Sequence, residues 1–148
     1  SLSYQDETFT NEPDTLVRVE SKLLEAGLPV IKSRLAKLNP QPVNGTIPIM
    51  IGGGGEKFTL RLVAEHANQY NYFGPPESYG NKIKILDEWC AKVGRNPREI
   101  ERTVAIYPKE VTPEIFAQYK EVGAEHIILT CSDPFDFSDV EKLLSWSK

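Results

Sequence analysis

From Ile47 onward the sequence alternates short apolar runs with longer stretches whose apolar residues recur every three or four positions. Short apolar runs bounded by glycines and turn residues read as buried strands. Stripes near a 3.6-residue period read as amphipathic helices. The spacing predicts strands over 47–51, 69–73, 102–107 and 126–130. Helices follow each strand in turn, over 56–67, 77–93, 113–122 and 138–146, the last with Val140, Leu143 and Leu144 inward. A strand returned to the start of the next by a helix must lie parallel to it, so the pattern demands a parallel α/β sheet. Two architectures satisfy it, an open doubly wound sheet or part of a (β/α)8 barrel. A whole barrel needs roughly 250 residues, and 148 residues supply about half of one.

Upstream, residues 1–13 form a polar lead-in without hydrophobic period, and residues 14–148 read as one partial barrel. From Asp14, a helical stripe runs through Leu16, Val19, Leu23, Leu24, Leu28, Ile31, Leu35 and Leu38. Pro29 is expected to kink or split this helix near Gly27, since proline removes a helical hydrogen bond. Asn39-Pro40-Gln41-Pro42 ends it, and Asn44-Gly45 marks a turn. Gly94 is placed to cap one helix, Thr112 to open another and Gly123 to end it.

A net charge of -4 argues against a nucleic-acid platform, which needs a basic face. No run reaches the roughly 18 apolar residues of a membrane helix. Two cysteines, Cys90 and Cys131, are too few for a disulfide framework and lack metal-ligand spacing, so a reduced, cytoplasmic protein is expected. Because Met50 is the single methionine, the chain is expected to be a fragment, a processed product, or a chain with its first residues removed.

The sharpest local signal is Ile51-Gly52-Gly53-Gly54-Gly55-Glu56-Lys57, between a strand and a helix. Glycines there let the backbone approach a ligand, and the helix start offers unpaired N–H groups suited to a phosphate. The same glycines also suit a tight turn packed on the sheet. Two nucleotide fingerprints fail on spacing. A dinucleotide motif needs glycine at Phe58 or Lys57, and a P-loop needs it at Lys57.

The wider text carries a resemblance. Asn39-Pro-Gln-Pro-Val, Ile47-Pro-Ile-Met-Ile-Gly-Gly-Gly-Gly-Glu-Lys, Thr59-Leu-Arg-Leu-Val-Ala-Glu-His-Ala-Asn and Asn71-Tyr-Phe-Gly appear in order. Leu86-Asp-Glu-Trp-Cys and Gly94-Arg-Asn-Pro-Arg-Glu-Ile extend the series. Together they resemble the luciferase-like flavin-dependent oxidoreductases, and most closely their deazaflavin (coenzyme F420) dependent branch. The resemblance implies the C-terminal half of a (β/α)8 TIM barrel: the helix after strand four, then strands five to eight. It implies that Gly52, Gly53, Gly54 and Gly55 contact the cofactor phosphate or ribityl chain, and that Asn71 and Tyr72 face the cofactor. Asn68 stands where the family usually has aspartate. The implied activity of the parent enzyme is hydride transfer between coenzyme F420 and a small organic substrate, without a metal. A monooxygenase using flavin mononucleotide (FMN) is the alternative. Groups touching the reacting ring belong mostly to the first half of such a barrel, so no catalytic residue is named. A non-catalytic, self-associating half barrel is a further alternative. The expected partner is a second copy in a homodimer, or a separate N-terminal half.

Other reactive side chains read as structural. His66 beside Glu65 falls on an outer helix, and His126 starts a strand at the end away from the catalytic face. Cys131, just past a strand, is a candidate substrate-lining residue without a histidine to activate it. Cys90, Trp89 and Trp146 lie on helices, where packing explains them.

Overall fold

A computed structural model describes residues 13–110, 112–131 and 136–147, with side chains described from residue 22 onward. Residues 1–12 of the lead-in and Ser132-Asp133 beside Cys131 lie outside the described residues, and Pro13, read as lead-in, begins a helix. The chain divides into two units at Ile47/Pro48, within the stretch read from the sequence as one partial barrel.

The first unit holds helix α1, Pro13–Leu35. Of the kink or split expected at Pro29, the split does not occur: the helix runs unbroken through that position. A proline removes only one backbone donor, and the turns on both sides keep theirs. The stripe is not fully covered either, since Leu23 and Ile31 are about half exposed. After α1, Gly45 donates its N–H to Pro42 O at 2.8 Å with φ of 73°, the turn expected at Asn44-Gly45.

The second unit alternates strands and helices: β1 Met50–Gly52, α2 Thr59–His66, β2 Gln69–Phe73, α3 Pro76–Val93, β3 Glu101–Ile106, α4 Pro113–Glu121, β4 His126–Leu129 and α5 Ser138–Trp146. The strands form one sheet in the order β1-β2-β3-β4, every neighbouring pair parallel. Sequential order without a reversal is consistent with part of a barrel wall, and no switch point of a doubly wound sheet falls among these four strands.

Several boundaries differ from the sequence reading. β1 starts at Met50, not 47, because Pro48 has no N–H for the ladder. Ile49 bonds outside the ladder instead: its N–H donates to Asn68 Oδ1 at 2.9 Å, and its O accepts from Asn68 N and Gln69 N. α2 starts at Thr59, not 56, because residues 56–58 form a turn in which Gly55 O accepts from Leu60 N. β3 stops at Ile106, since Tyr107 N donates to Glu110 Oε2 at 2.7 Å. The caps fall where the sequence puts them. Gly94 ends α3 in the left-handed region, and Thr112 Oγ1 accepts from Ile115 N at 3.2 Å. In α5, Val140 and Leu143 are half-buried, but Leu144 is 60% exposed, a correction to its inward placement. All three line a groove of about 550 Å³ along β4, with Ile127, Leu129 and Phe116, which no described element fills.

Side chains alternate across the sheet. The register puts Ile51, Tyr70, Tyr72, Arg102, Val104 and Ile106 on one face. That face meets α3: Tyr72 reaches Ser78, and Arg102 Nη2 pairs with Asp87. Tyr70, Val104 and Ile106 are buried there with Leu60, Val63, Leu86 and Cys90. Gly52, Gln69, Asn71, Phe73, Glu101, Thr103 and His126 share the opposite face. Among the described residues, no helix is long and apolar enough to cross a membrane.

Candidate functional site

Parallel α/β sheets place ligands at the C-terminal ends of their strands, where β1 meets the glycine run. Gly52 is the last residue of β1, beside Asn71 of β2. Gly53 donates its N–H to Asn71 O at 3.2 Å and accepts at its own O from the Tyr70 hydroxyl at 3.0 Å. Its φ of 125° is open only to glycine in practice. A Cβ on Gly54 would stand 2.8 Å from Tyr72 Cε2, and one on Gly55 would stand 2.7 Å from Thr59 Oγ1. Three of the four glycines therefore have reasons internal to the fold, as a tight turn requires. The amides of Gly54 and Gly55 have no acceptor among the described residues.

Tyr72 fills the floor beneath the loop. Its ring lies between Gly54 and Gly74, whose Cβ would stand 2.6 Å from Cε1, and its hydroxyl bonds Ser78 Oγ at 3.1 Å. Asn71 and Tyr72, adjacent in β2, face opposite sides of the sheet. The Asn71 side chain lies 2.9 Å from the buried Thr103 hydroxyl, on the sheet face opposite Tyr72, while its main-chain oxygen accepts from Gly53 N. The structure thus sets the Tyr72 ring against Gly54 and the Asn71 amide on the other face of the sheet, the face it shares with Gly52.

Two residues of α3 complete the loop: Lys82, which the sequence reading did not single out, and Trp89, which it assigned to packing. Lys82 Nζ pairs with Glu56 Oε1 at 2.6 Å, and Trp89 Nε1 donates to Glu56 O at 2.8 Å. Lys92 lies over the Trp89 ring at 4.5 Å. The legible signal was spacing: Ser78, Lys82 and Trp89 are four and seven apart along α3, one helical face. Residues fit an anion here in two respects, the unpaired amides and the lysine. They oppose it in one, the Glu56 carboxylate.

A second polar cluster sits at the other end of the sheet. Glu101 accepts from Gln69 Nε2 through one carboxylate oxygen, and its other oxygen lies 3.1 Å from His126 Nδ1. These hydrogen bonds, Gln69 first and His126 second, hold the Glu101 carboxyl below its usual range. His126 begins β4, as the sequence placed it. His66 ends α2, with Nε2 3.7 Å from Glu65 Oε2, while Arg61 grips the same carboxylate at 3.0 Å. Cys131 is half-buried beyond β4, and burial pushes the Cys90 thiol up. Trp146 packs on Phe116 with centroids 6.2 Å apart. Phe73 and Tyr107, each 50% exposed, meet at 6.1 Å at the C-terminal ends of β2 and β3.

No family model and no curated protein matches the chain. A solved structure similar to it is an F420-dependent secondary alcohol dehydrogenase in complex with an F420-acetone adduct, 15% identical with a TM-score of 0.47. The match covers 57% of this chain and 43% of that one, so the chain spans less than half the length of that relative. A likeness of this size decides nothing about activity.

Proposed function

We propose that this chain is the phosphate-holding part of a luciferase-like oxidoreductase, the C-terminal half of its (β/α)8 barrel. Its cofactor is coenzyme F420, with FMN the alternative. The observation that carries the reading is the pair of unpaired amides at Gly54 and Gly55, at the C-terminal end of β1. The resemblance of the surrounding blocks supports it. Gly54 and Gly55 donate to the phosphate, and Tyr72 holds the loop in the shape that presents them. Gly53 ties the loop to β2 through Asn71 O. The cofactor, when bound, supplies hydride transfer to a small organic substrate. Titrating the protein with each cofactor while recording visible absorption tests the reading. Saturable spectral change with F420 supports it; change with FMN alone moves it to the alternative; change with neither overturns it.

A second reading concerns partners, and the sheet edges favour it. Among the described residues, β1 and β4 each pair with a single strand, and the groove along β4 leaves Leu144 largely in water. Open strand edges with apolar borders invite another chain. We propose a homodimer, or pairing with a separate N-terminal half. Sedimentation at low micromolar concentration tests it, and a stable monomer counts against it.

A further inference from the structure

We propose that Lys82 is the cationic contact of the glycine-loop anion site and that Glu56 is its built-in competitor: a phosphate binds by displacing the Glu56 carboxylate. The inference rests on the reading of Gly54 and Gly55 as phosphate donors, and it adds the charge that reading lacks. The lysine carries the argument.

The Lys82 side chain is only 16% exposed, whereas that of Glu56 is 55% exposed. A cation withdrawn from water needs a counter-charge, and leaving it alone is costly. Glu56 meets that need at 2.6 Å from a half-solvated position. The Lys82 stem runs beside the loop, its Cε 3.6 Å from where a Cβ on Gly54 would stand. An anion reached by the Gly54 and Gly55 amides therefore enters the space in which the ammonium already holds a carboxylate.

Two features make exchange of one anion for the other inexpensive. The turn does not depend on the carboxylate, because Trp89 anchors Glu56 through its main-chain oxygen at 2.8 Å. The released carboxylate is already close to water, so its solvation changes little. A phosphate gains more from the site than Glu56 does, since it carries more charge and more acceptor oxygens. The pair thus spares Lys82 an uncompensated charge and yields to an anion that also engages the amides.

The test uses the 148-residue chain with inorganic phosphate as probe, followed by the ¹H–¹⁵N shifts of Gly54 and Gly55. Glu56→Gln is expected to tighten phosphate binding about two- to fivefold, the range of a half-exposed ion pair. Lys82→Met is expected to weaken it by at least as much, and Lys82→Arg to retain it. Glu121→Gln, on α4, controls for net charge and is expected to leave affinity unchanged. Phosphate shifts that are equal in wild type, E56Q and K82M overturn this inference alone. If K82M does not fold, unchanged affinity in E56Q, or an equal gain in E121Q, overturns it just as well. No shift at Gly54 or Gly55 in either wild type or E56Q overturns the anion site itself.

Discussion

Replacing Gly54 with alanine tests whether the loop is shaped by Tyr72. The added Cβ would stand 2.8 Å from Tyr72 Cε2, closer than carbon atoms pack. The ring cannot withdraw freely, because Gly74 lies against its opposite edge and Ser78 holds its hydroxyl at 3.1 Å. Either the ring or the loop must move by several tenths of an ångström. Overpacking of this kind costs about 1–3 kcal/mol, and losing the Tyr72–Ser78 bond adds about 1 kcal/mol. Alanine recovers about 0.4–1 kcal/mol by restricting the unfolded chain. The expected net destabilisation is about 1–3 kcal/mol, read from urea unfolding. Gly52→Ala is the control, because its Cβ would meet only Asn71 O at an ordinary 3.6 Å. A change within about 0.5 kcal/mol is expected there. In a Tyr72→Ala background the cost of G54A should fall to about 0.5 kcal/mol or less, a coupling that a double-mutant cycle measures directly. A G54A cost equal to that of G52A, or one unchanged in the Y72A background, would refute the reasoning.

Two further predictions concern the sheet. Glu101 has its folded pKa depressed, so its stabilising contribution is present above the ordinary glutamate range and is lost as pH falls through the folded value. Glu101→Gln should therefore destabilise the protein near pH 6, with the gap from wild type closing below about pH 4 in melts recorded across pH. Two of the buried tyrosines, Tyr70 and Tyr79, should behave oppositely on replacement by phenylalanine, although burial raises both phenols above their usual range. The Tyr79 hydroxyl is buried without a partner among the described residues, so Y79F should be neutral or stabilising by about 1 kcal/mol in thermal unfolding. Tyr70 donates to Gly53 O, so Y70F should cost about 1 kcal/mol.

Strand direction and order were legible because they follow from hydrophobic period and link length, which are local properties. The caps at Gly94 and Thr112 were legible for the same reason. Pro48 was the local clue that moves the start of β1, and the apolar run Ile47–Ile51 masked it. Pro29 does not end the helix, since one missing donor can be tolerated within 23 helical residues. Leu144 was placed inward from its spacing alone, but spacing does not say whether anything stands opposite. The site was less legible than the fold. Asn71 and Tyr72 are neighbours in sequence, yet strand alternation sends them to opposite faces. Lys82 and Trp89 lie 26 and 33 residues from Glu56 and meet it only once α3 folds back over the loop. The glycine run showed where a backbone comes close to something. Tyr72, seventeen or more residues downstream, decides what that something is at Gly54.

The proposed function requires Gly54 and Gly55 to present unpaired amides to a cofactor phosphate. Mapping ¹H–¹⁵N shifts while titrating coenzyme F420, then FMN, locates any contact residue by residue. Saturable shifts centred on Gly54 and Gly55 and extending to Lys82 are expected, with little change at Gln69, Glu101 and His126 at the far end of the sheet. Saturable binding whose shifts centre on that far end, with Gly54 and Gly55 unmoved, would contradict it.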